Sequence, residues 1–244
     1  MPDPSARPAA SAALDPTTDP TTGPTTGPTI DLTIDLTIDP AVAARIAVVF
    51  CDVDGVLTDG RMTYGAASGT LGDADDFDRD AIHASPVDRD EWESKSFHVR
   101  DGMAAVLLRL AGLKVVLITG ERTAMVRRRA AKLGLEGCID GCDDKLTAAS
   151  KWVAQHGLTL DQAAHIGDEV NDIALLRAVA LSLAPSDCSP VVAGVVSHTL
   201  ATPGGAGVLR EAAYALLQAR GELTTTVERY VAGERPKMAH ATAS

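Results

Sequence analysis

The chain has 244 residues, 45% of them apolar, enough for one core of ordinary size plus appendages. A net charge of −11 argues against nucleic acid as a partner. No apolar run approaches the roughly 20 residues needed to span a bilayer. The start, MPDPSARPAASAALDP, carries Pro and Asp where a secretory signal needs a basic and then an apolar stretch, so a soluble cytoplasmic protein with no membrane partner is expected. Aromatic residues make up 3% of the chain, which leaves Ala, Val and Leu to build the core.

Residues 15–40 repeat a four-residue unit rich in Pro, Thr and Asp. Proline at that spacing forbids a helix and breaks strand ladders, and the tract has too little apolar surface to offset its ordering entropy. Residues 1–40 are therefore read as a disordered leader, although the alternation in TIDLTIDLTI also suits an added strand. The leader holds six acids and one arginine, and residues 73–93 hold nine acids and two arginines, so the acidity belongs to two appendages. The rest of the chain is near neutral and leaves an anion site unopposed.

From Arg45 onward apolar runs and amphipathic stretches alternate. IAVVF reads as a buried strand, GMAAVLLRLAGL (102–113) as a helix, and KVVLITG as a second buried strand. RTAMVRRRAAKLG is a helix with Gly134 as its stop. CIDG, AAHIGD and LSLA read as further strands, and KLTAASKWVAQHG, VNDIALLRAV, SPVVAGVVS and GVLREAAYALLQARG as helices. This rhythm predicts an α/β fold with a doubly wound parallel sheet over 41–225, followed by a flexible tail over 226–244. Residues 66–92, glycine-rich and acidic, break the rhythm. They read as an insertion in a hairpin formed by RMTYG and WESKSFHV.

In such sheets chemistry sits at the carboxyl ends of the strands. The first strand ends in VVFCDVDGVLTDG, with Asp52 and Asp54 two residues apart and so on one side of an extended chain. Two close carboxylates repel, and a hard divalent cation such as Mg²⁺ removes the conflict. Gly55 allows a tight turn beside it. VVLIT ends in Thr119 and Gly120, a hydroxyl and an unhindered amide. AAHIG ends in Asp168, with Glu169 and Asp172 following, and Lys145 opens a helix. Singly, each has an ordinary alternative: a turn for Thr119-Gly120, a solvated surface charge for Lys145, a helix-dipole partner for Asp172. Together they make a site for a metal-bound phosphate. Cys138 and Cys142 lack a second ligand pair, so buried thiols rather than zinc ligands are expected.

These segments resemble the haloacid dehalogenase superfamily in DVDGVLTDG, LITG, Lys145 and GDEVND. DVDGVLTDGRMTY, FHVRDGMA, GCDDK, HIGDEVND and TPGGAGVLRE resemble, more narrowly, the 3-deoxy-D-manno-octulosonate 8-phosphate phosphatase family. The similarity covers about residues 46–223 outside the insertion. The resemblance implies a capless Rossmann-like core and a Mg²⁺-dependent phosphatase acting on a small phosphorylated sugar acid. Asp52 would be the nucleophile that forms an aspartyl-phosphate, and Asp54 the general acid and then the base. Mg²⁺ would sit among the Asp52 carboxylate, the Asp54 carbonyl and the Asp168 carboxylate. Thr119 and Gly120 would bind phosphoryl oxygens, and Lys145, held by Asp172, would stabilise the transferring charge.

Arg100 is placed to meet a sugar carboxylate, and Gly204, Gly205 and Gly207 to bring the tail near a neighbouring subunit's site. His98 and His165 read as packing or surface residues, and Arg122 as a solvent-facing residue at a helix start. The resemblance also implies a homotetramer closed by the hairpin, which here carries the acidic insertion. Alternative readings are a phosphatase of a sialic-acid-like 9-phosphate or another small ester, and a non-catalytic domain that assembles with a sugar-nucleotide synthetase.

Overall fold

The apolar run that follows Arg45 becomes the centre of a sheet because both of its faces are covered. A computed structural model describes residues 36–66 and 91–236. Helix α1 (Pro40–Arg45) is capped by Asp39, whose carboxylate accepts from the Ala41 amide at 2.8 Å. It leads into strand β1 (Val48–Cys51), four consecutive buried residues, as expected of a strand buried on both faces.

Strands β2 (Thr63–Ala66) and β3 (Glu91–Ser94) pair antiparallel, from Thr63 with Ser94 to Ala66 with Glu91, in a separate two-stranded sheet. Of the insertion expected at 66–92, residues 67–90 lie outside the described residues, as do residues 1–35 of the leader expected over 1–40.

Helix α2 (Val99–Leu110) begins three residues before the expected start, because His98 Nδ1 accepts from the Arg100 amide at 3.1 Å and caps it. Strand β4 (Lys114–Ile118), helix α3 (Ala124–Leu133), strand β5 (Gly137–Ile139), helix α4 (Lys145–Gln155) and strand β6 (Ala163–Ile166) follow in the expected order. Gly134 ends α3 with φ 64°, the left-handed cap anticipated for it. Helix α5 (Ile173–Ala178) is shorter than its amphipathic pattern, since Val170–Asp172 forms a single 3₁₀ turn before it. Strand β7 (Leu181–Ala184), helix α6 (Pro190–Ala193), strand β8 (His198–Thr199) and helix α7 (Val208–Ala219) complete the alternation.

The chain then forms helix α8 (Leu223–Val231), which runs past the 225 boundary expected for a flexible tail. Three consecutive threonines weaken its sequence signal. Tertiary contacts hold it instead: Leu223 and Thr226 are buried, and Arg229 donates to the Leu110 carbonyl at 3.1 Å.

The main sheet has the order β5-β4-β1-β6-β7-β8, and every pairing is parallel. The chain starts at β1, adds β4 and β5 on one side, then crosses to add β6, β7 and β8 on the other. The carboxyl end of β1 is therefore the topological switch point, flanked by the ends of β4 and β6. On one face Val48, Phe50, Val116, Ile118 and Ala163 pack against Ala149, Trp152 and Val153 of α4. Phe50 and Trp152 meet edge to face with centroids 5.6 Å apart. Helix α2 packs on β4 and against α7. Among the described residues no helix is long and apolar enough to cross a membrane.

Candidate active site

Strand parity and helix periodicity bring the first two site residues together. Val48, Phe50 and Asp52 alternate onto the face covered by α4. On α4 the buried residues are Lys145, Ala149, Trp152 and Val153, a single stripe at i, i+4, i+7 and i+8. Lys145 opens that stripe, so its stem enters the core and its ammonium emerges at the end of β1. It is 2% exposed, and its Nζ donates to Asp52 Oδ1 and to Asp172 Oδ1, both at 2.7 Å. Burial works to lower the Lys145 pKa, but the two carboxylates outweigh it and hold the pKa above the ordinary value.

Asp52, Asp168 and Asp172 can each offer an oxygen within 4.8 Å of the others. They are not equivalent. Asp172 Oδ1 accepts from Lys145 and faces His165 Nε2 at 2.7 Å, while its Oδ2 accepts from the amides of Asp168 and Glu169 at 3.3 and 3.4 Å. Burial opposes its ionisation, yet the His165 and Lys145 contacts prevail and pull its pKa down to about 2. Asp172 is a committed anion whose oxygens are taken.

Asp168 is the opposite case, since its Oδ1 is buried without a hydrogen-bond partner. Burial and then the Asp172 charge push its pKa up to about 6, against the pull of Asp52 and Lys145. Burial likewise lifts Asp52 to about 7, opposed by Lys145 and reinforced by Asp172 and Asp168. Two carboxylates held reluctant to ionise, one with an orphan oxygen, fit a hard divalent cation at this position.

Asp54 departs from the expected arrangement. Strand β1 ends at Cys51, so two-residue parity no longer governs the turn that follows. The Asp54 carboxylate is not among the three that converge. Both its oxygens accept from Lys95 Nζ, at 2.8 and 2.7 Å, and Oδ1 also accepts from the Thr58 hydroxyl at 3.2 Å. The Lys95 side chain is shielded from solvent, while that of Asp54 is 25% exposed. Burial pulls the Lys95 pKa down, but the Asp54 bond and charge, with Glu121 3.5 Å away, raise it overall.

Sequence reasoning missed Lys95. It follows β3 by one residue and lies 41 residues from Asp54, across the acidic segment, where no local spacing could mark it. It missed His165 as well, which read as packing and instead contacts Asp172.

Thr119 follows β4 and is buried, and its Oγ1 accepts from the Glu121 amide at 3.1 Å. Gly120 beside it is exposed. Arg122 precedes α3, is exposed, and lies along Gly141. Arg100 is exposed in the first turn of α2, with its stem 3.6 Å from where a Cβ on Gly207 would stand.

Gly204 and Gly205 pack on the turn after β1 of their own chain. A Cβ on Gly204 would stand 2.1 Å from the Gly55 carbonyl oxygen, and one on Gly205 2.5 Å from the Asp59 amide nitrogen. The Gly205 amide donates to the Val56 carbonyl at 3.0 Å, and the Gly204 amide to Asp187 at 2.8 Å. This loop buttresses the turn that carries Asp54.

Comparison with known proteins fits this geometry. The haloacid dehalogenase-like hydrolase family model matches residues 65–180. The 3-deoxy-D-manno-octulosonate 8-phosphate phosphatase of Haemophilus influenzae is 36% identical over 177 residues, which is 72% of this chain and 86% of the relative. The chain belongs to that phosphatase family.

As a member of this family of haloacid dehalogenase-like hydrolases it is a phosphoric monoester hydrolase. The Moraxella catarrhalis family structure, a complex with magnesium, phosphate and KDO, has a TM-score of 0.66 and 28% identity, covering 78% of this chain and 97% of that one. The cobalt-bound Haemophilus influenzae phosphatase has a TM-score of 0.62 and 33% identity, covering 78% and 99%. Both of those proteins are metal-bound, in keeping with the acidic cluster at the end of β1.

Gly55 is the residue most exposed to a steric test. Its φ is 89°, and a Cβ there would stand 2.0 Å from Asp168 Oδ2. Gly55→Ala is expected to displace the Asp168 carboxylate and weaken Mg²⁺ binding by about tenfold or more. Titration calorimetry with Mg²⁺ checks this, and wild-type affinity in the variant contradicts the placement.

Proposed function

We propose that this chain hydrolyses 3-deoxy-D-manno-octulosonate 8-phosphate through an aspartyl-phosphate on Asp52, with Mg²⁺ as cofactor. The observation that carries the reading is the buried Asp52–Lys145 pair beside the orphan Asp168 oxygen, at the switch point of a chain 36% identical to a phosphatase of that ester.

Asp52 and Asp168, with the Asp54 carbonyl, would hold the ion. When bound, Mg²⁺ offsets the charge on these carboxylates and on the phosphoryl oxygens. Lys145 grips Asp52 Oδ1, which fixes the carboxylate's rotation and leaves Oδ2 as the attacking oxygen. Attack forms the Oδ2–P bond and breaks the bond from phosphorus to the sugar oxygen. Asp54 gives that oxygen its proton. Asp54 then takes a proton from water, whose oxygen attacks phosphorus and releases phosphate and free Asp52. Lys95 donates to both Asp54 oxygens and holds that carboxyl in place for both transfers. The Thr119 hydroxyl and Gly120 amide serve the phosphoryl oxygens at the end of β4. Arg100, exposed beside Gly207, is the cation assigned to the substrate carboxylate.

The substrate reading is tested by phosphate release from a panel of phosphorylated sugar acids with Mg²⁺. The eight-carbon 8-phosphate is expected to show the highest kcat/KM, and preference for a nine-carbon 9-phosphate overturns that assignment. Asp52→Asn is expected to cut kcat by about a thousandfold or more on every ester while the thermal transition persists. Turnover at the wild-type rate removes Asp52 as nucleophile.

The site also carries a pH dependence. Asp52 and Asp168 have folded-state values raised to about 7 and about 6, above the ordinary 3.8. A raised carboxyl makes the ionised folded state costly above its folded pKa, and the cost disappears as protons bind below it. A cation relieves that cost only where it need not displace those protons. The rise in Tm on adding Mg²⁺ is therefore expected to be larger at about pH 8 than at about pH 5.5. A rise that is equal, or larger in acid, contradicts the assignment of these two ligands.

The reading extends to assembly as a tetramer. Its support is the β2–β3 hairpin, which stands apart from the main sheet, and the exposed Val99 and Met103 on α2 after it. Light scattering on the full chain should give four times the 25.3 kDa chain mass, and a monomer refutes it.

A further inference from the structure

His165 lies in the middle of the sheet, on β6 between Phe50 of β1 and Ser182 of β7, and is fully buried. A packing residue there would be apolar. Instead both ring nitrogens meet oxygen: Nε2 stands 2.7 Å from Asp172 Oδ1, and Nδ1 3.3 Å from the Phe50 carbonyl.

The carbonyl has no proton to give. Asp172 has none either, because every group around its carboxylate, Lys145 and the amides of Asp168 and Glu169, is itself a donor. The ring nitrogen facing Asp172, Nε2, therefore supplies the proton of that contact. Around the ring Asp172 is in contact, Lys145 and Asp52 follow, and Asp168 lies just beyond the end of the same strand, while β7 brings no titratable group. The row His165, Asp172, Lys145, Asp52 then alternates donor and acceptor from the sheet interior to the reacting carboxylate.

We propose that His165 is a positioning residue for the hydrolysis: its Nε2–H donates to the Asp172 carboxylate and fixes it, and that carboxylate holds the Lys145 ammonium against Asp52. Without it, Asp172 Oδ1 keeps Lys145 as its single side-chain partner, and the carboxylate gains freedom to turn. The effect falls on the chemical step, since His165 is too deep to touch substrate. This rests on the reading of Lys145 and Asp52 as catalytic.

The test has two arms on the full chain. In the first, nitrogen-15 NMR of histidine-labelled protein, with the His165 signals identified by their loss in His165→Gln, reads the ring directly. Nε2 is expected to carry a proton at about pH 7, and a bare Nε2 overturns the proposal. In the second, His165→Leu is expected to lower kcat on an aryl phosphate about tenfold or more, with KM within about twofold.

His165→Gln keeps an N–H donor toward Asp172 and should lose less. Wild-type kcat in both variants overturns the positioning role. Should the leucine variant fail to fold, the glutamine variant and the wild-type spectrum still decide. Lys145→Met separates the two levels of the argument. If it retains wild-type activity, the catalytic reading itself fails; if it is inactive while both His165 variants are fully active, only the positioning role fails.

Discussion

The site is organised around one buried ammonium. Lys145 is held between Asp52 and Asp172 at 2.7 Å from each, almost without solvent. Burying a lone ammonium or a lone carboxylate costs several kcal/mol, so neither partner can be there without the other. The row Asp172, Lys145, Asp52 alternates in charge and meets that constraint. It also divides the labour among three aspartates that composition alone makes equal. Asp172 spends its oxygens on donors and stays ionised. Asp52 and Asp168 resist ionisation, and Asp168 keeps a free oxygen.

The backbone supports this polar row with close contacts that need glycine. Gly55 passes beside the Asp168 carboxylate with φ 89°. The Gly204–Gly205 loop presses on the same turn from outside, tied by its amides to Val56 and Asp187. The turn that carries Asp54 is thus clamped on one side by β6 and on the other by the segment before α7. A clamped turn suits the proton-transfer role proposed for Asp54. Lys95 reaches Asp54 from beyond the hairpin, so Asp54 is joined to a part of the chain outside the main sheet.

Much of this was legible in the linear chain. Apolar runs ending in Asp52, Thr119 and Asp168 marked strand ends, and the strand–helix rhythm placed those ends on one sheet edge. Lys145 was legible at the opening of a helix and as part of the family resemblance, but its burial was not. Other features were not. Helix α8 hides behind a run of threonines, and β8 has two residues, too few for any period. Lys95 and His165 lack a local signal, because their partners, Asp54 and Asp172, reach them through the fold rather than through helix or strand spacing. The two-apart rule for Asp52 and Asp54 failed because the strand stops at Cys51.

The sequence by itself determined which strands form and which polar groups stand at their ends, because burial periodicity is a local property of the chain. Only the tertiary structure decided which of those groups meet. The order β5-β4-β1-β6 sets Thr119 and Asp168 on either side of Asp52. The depth of the sheet then turns a histidine with no visible purpose into a neighbour of the lysine's own anchor. Charge pairing in a low-dielectric interior depends on distances of a few ångströms between segments far apart in the chain, and those distances exist only once the sheet has closed.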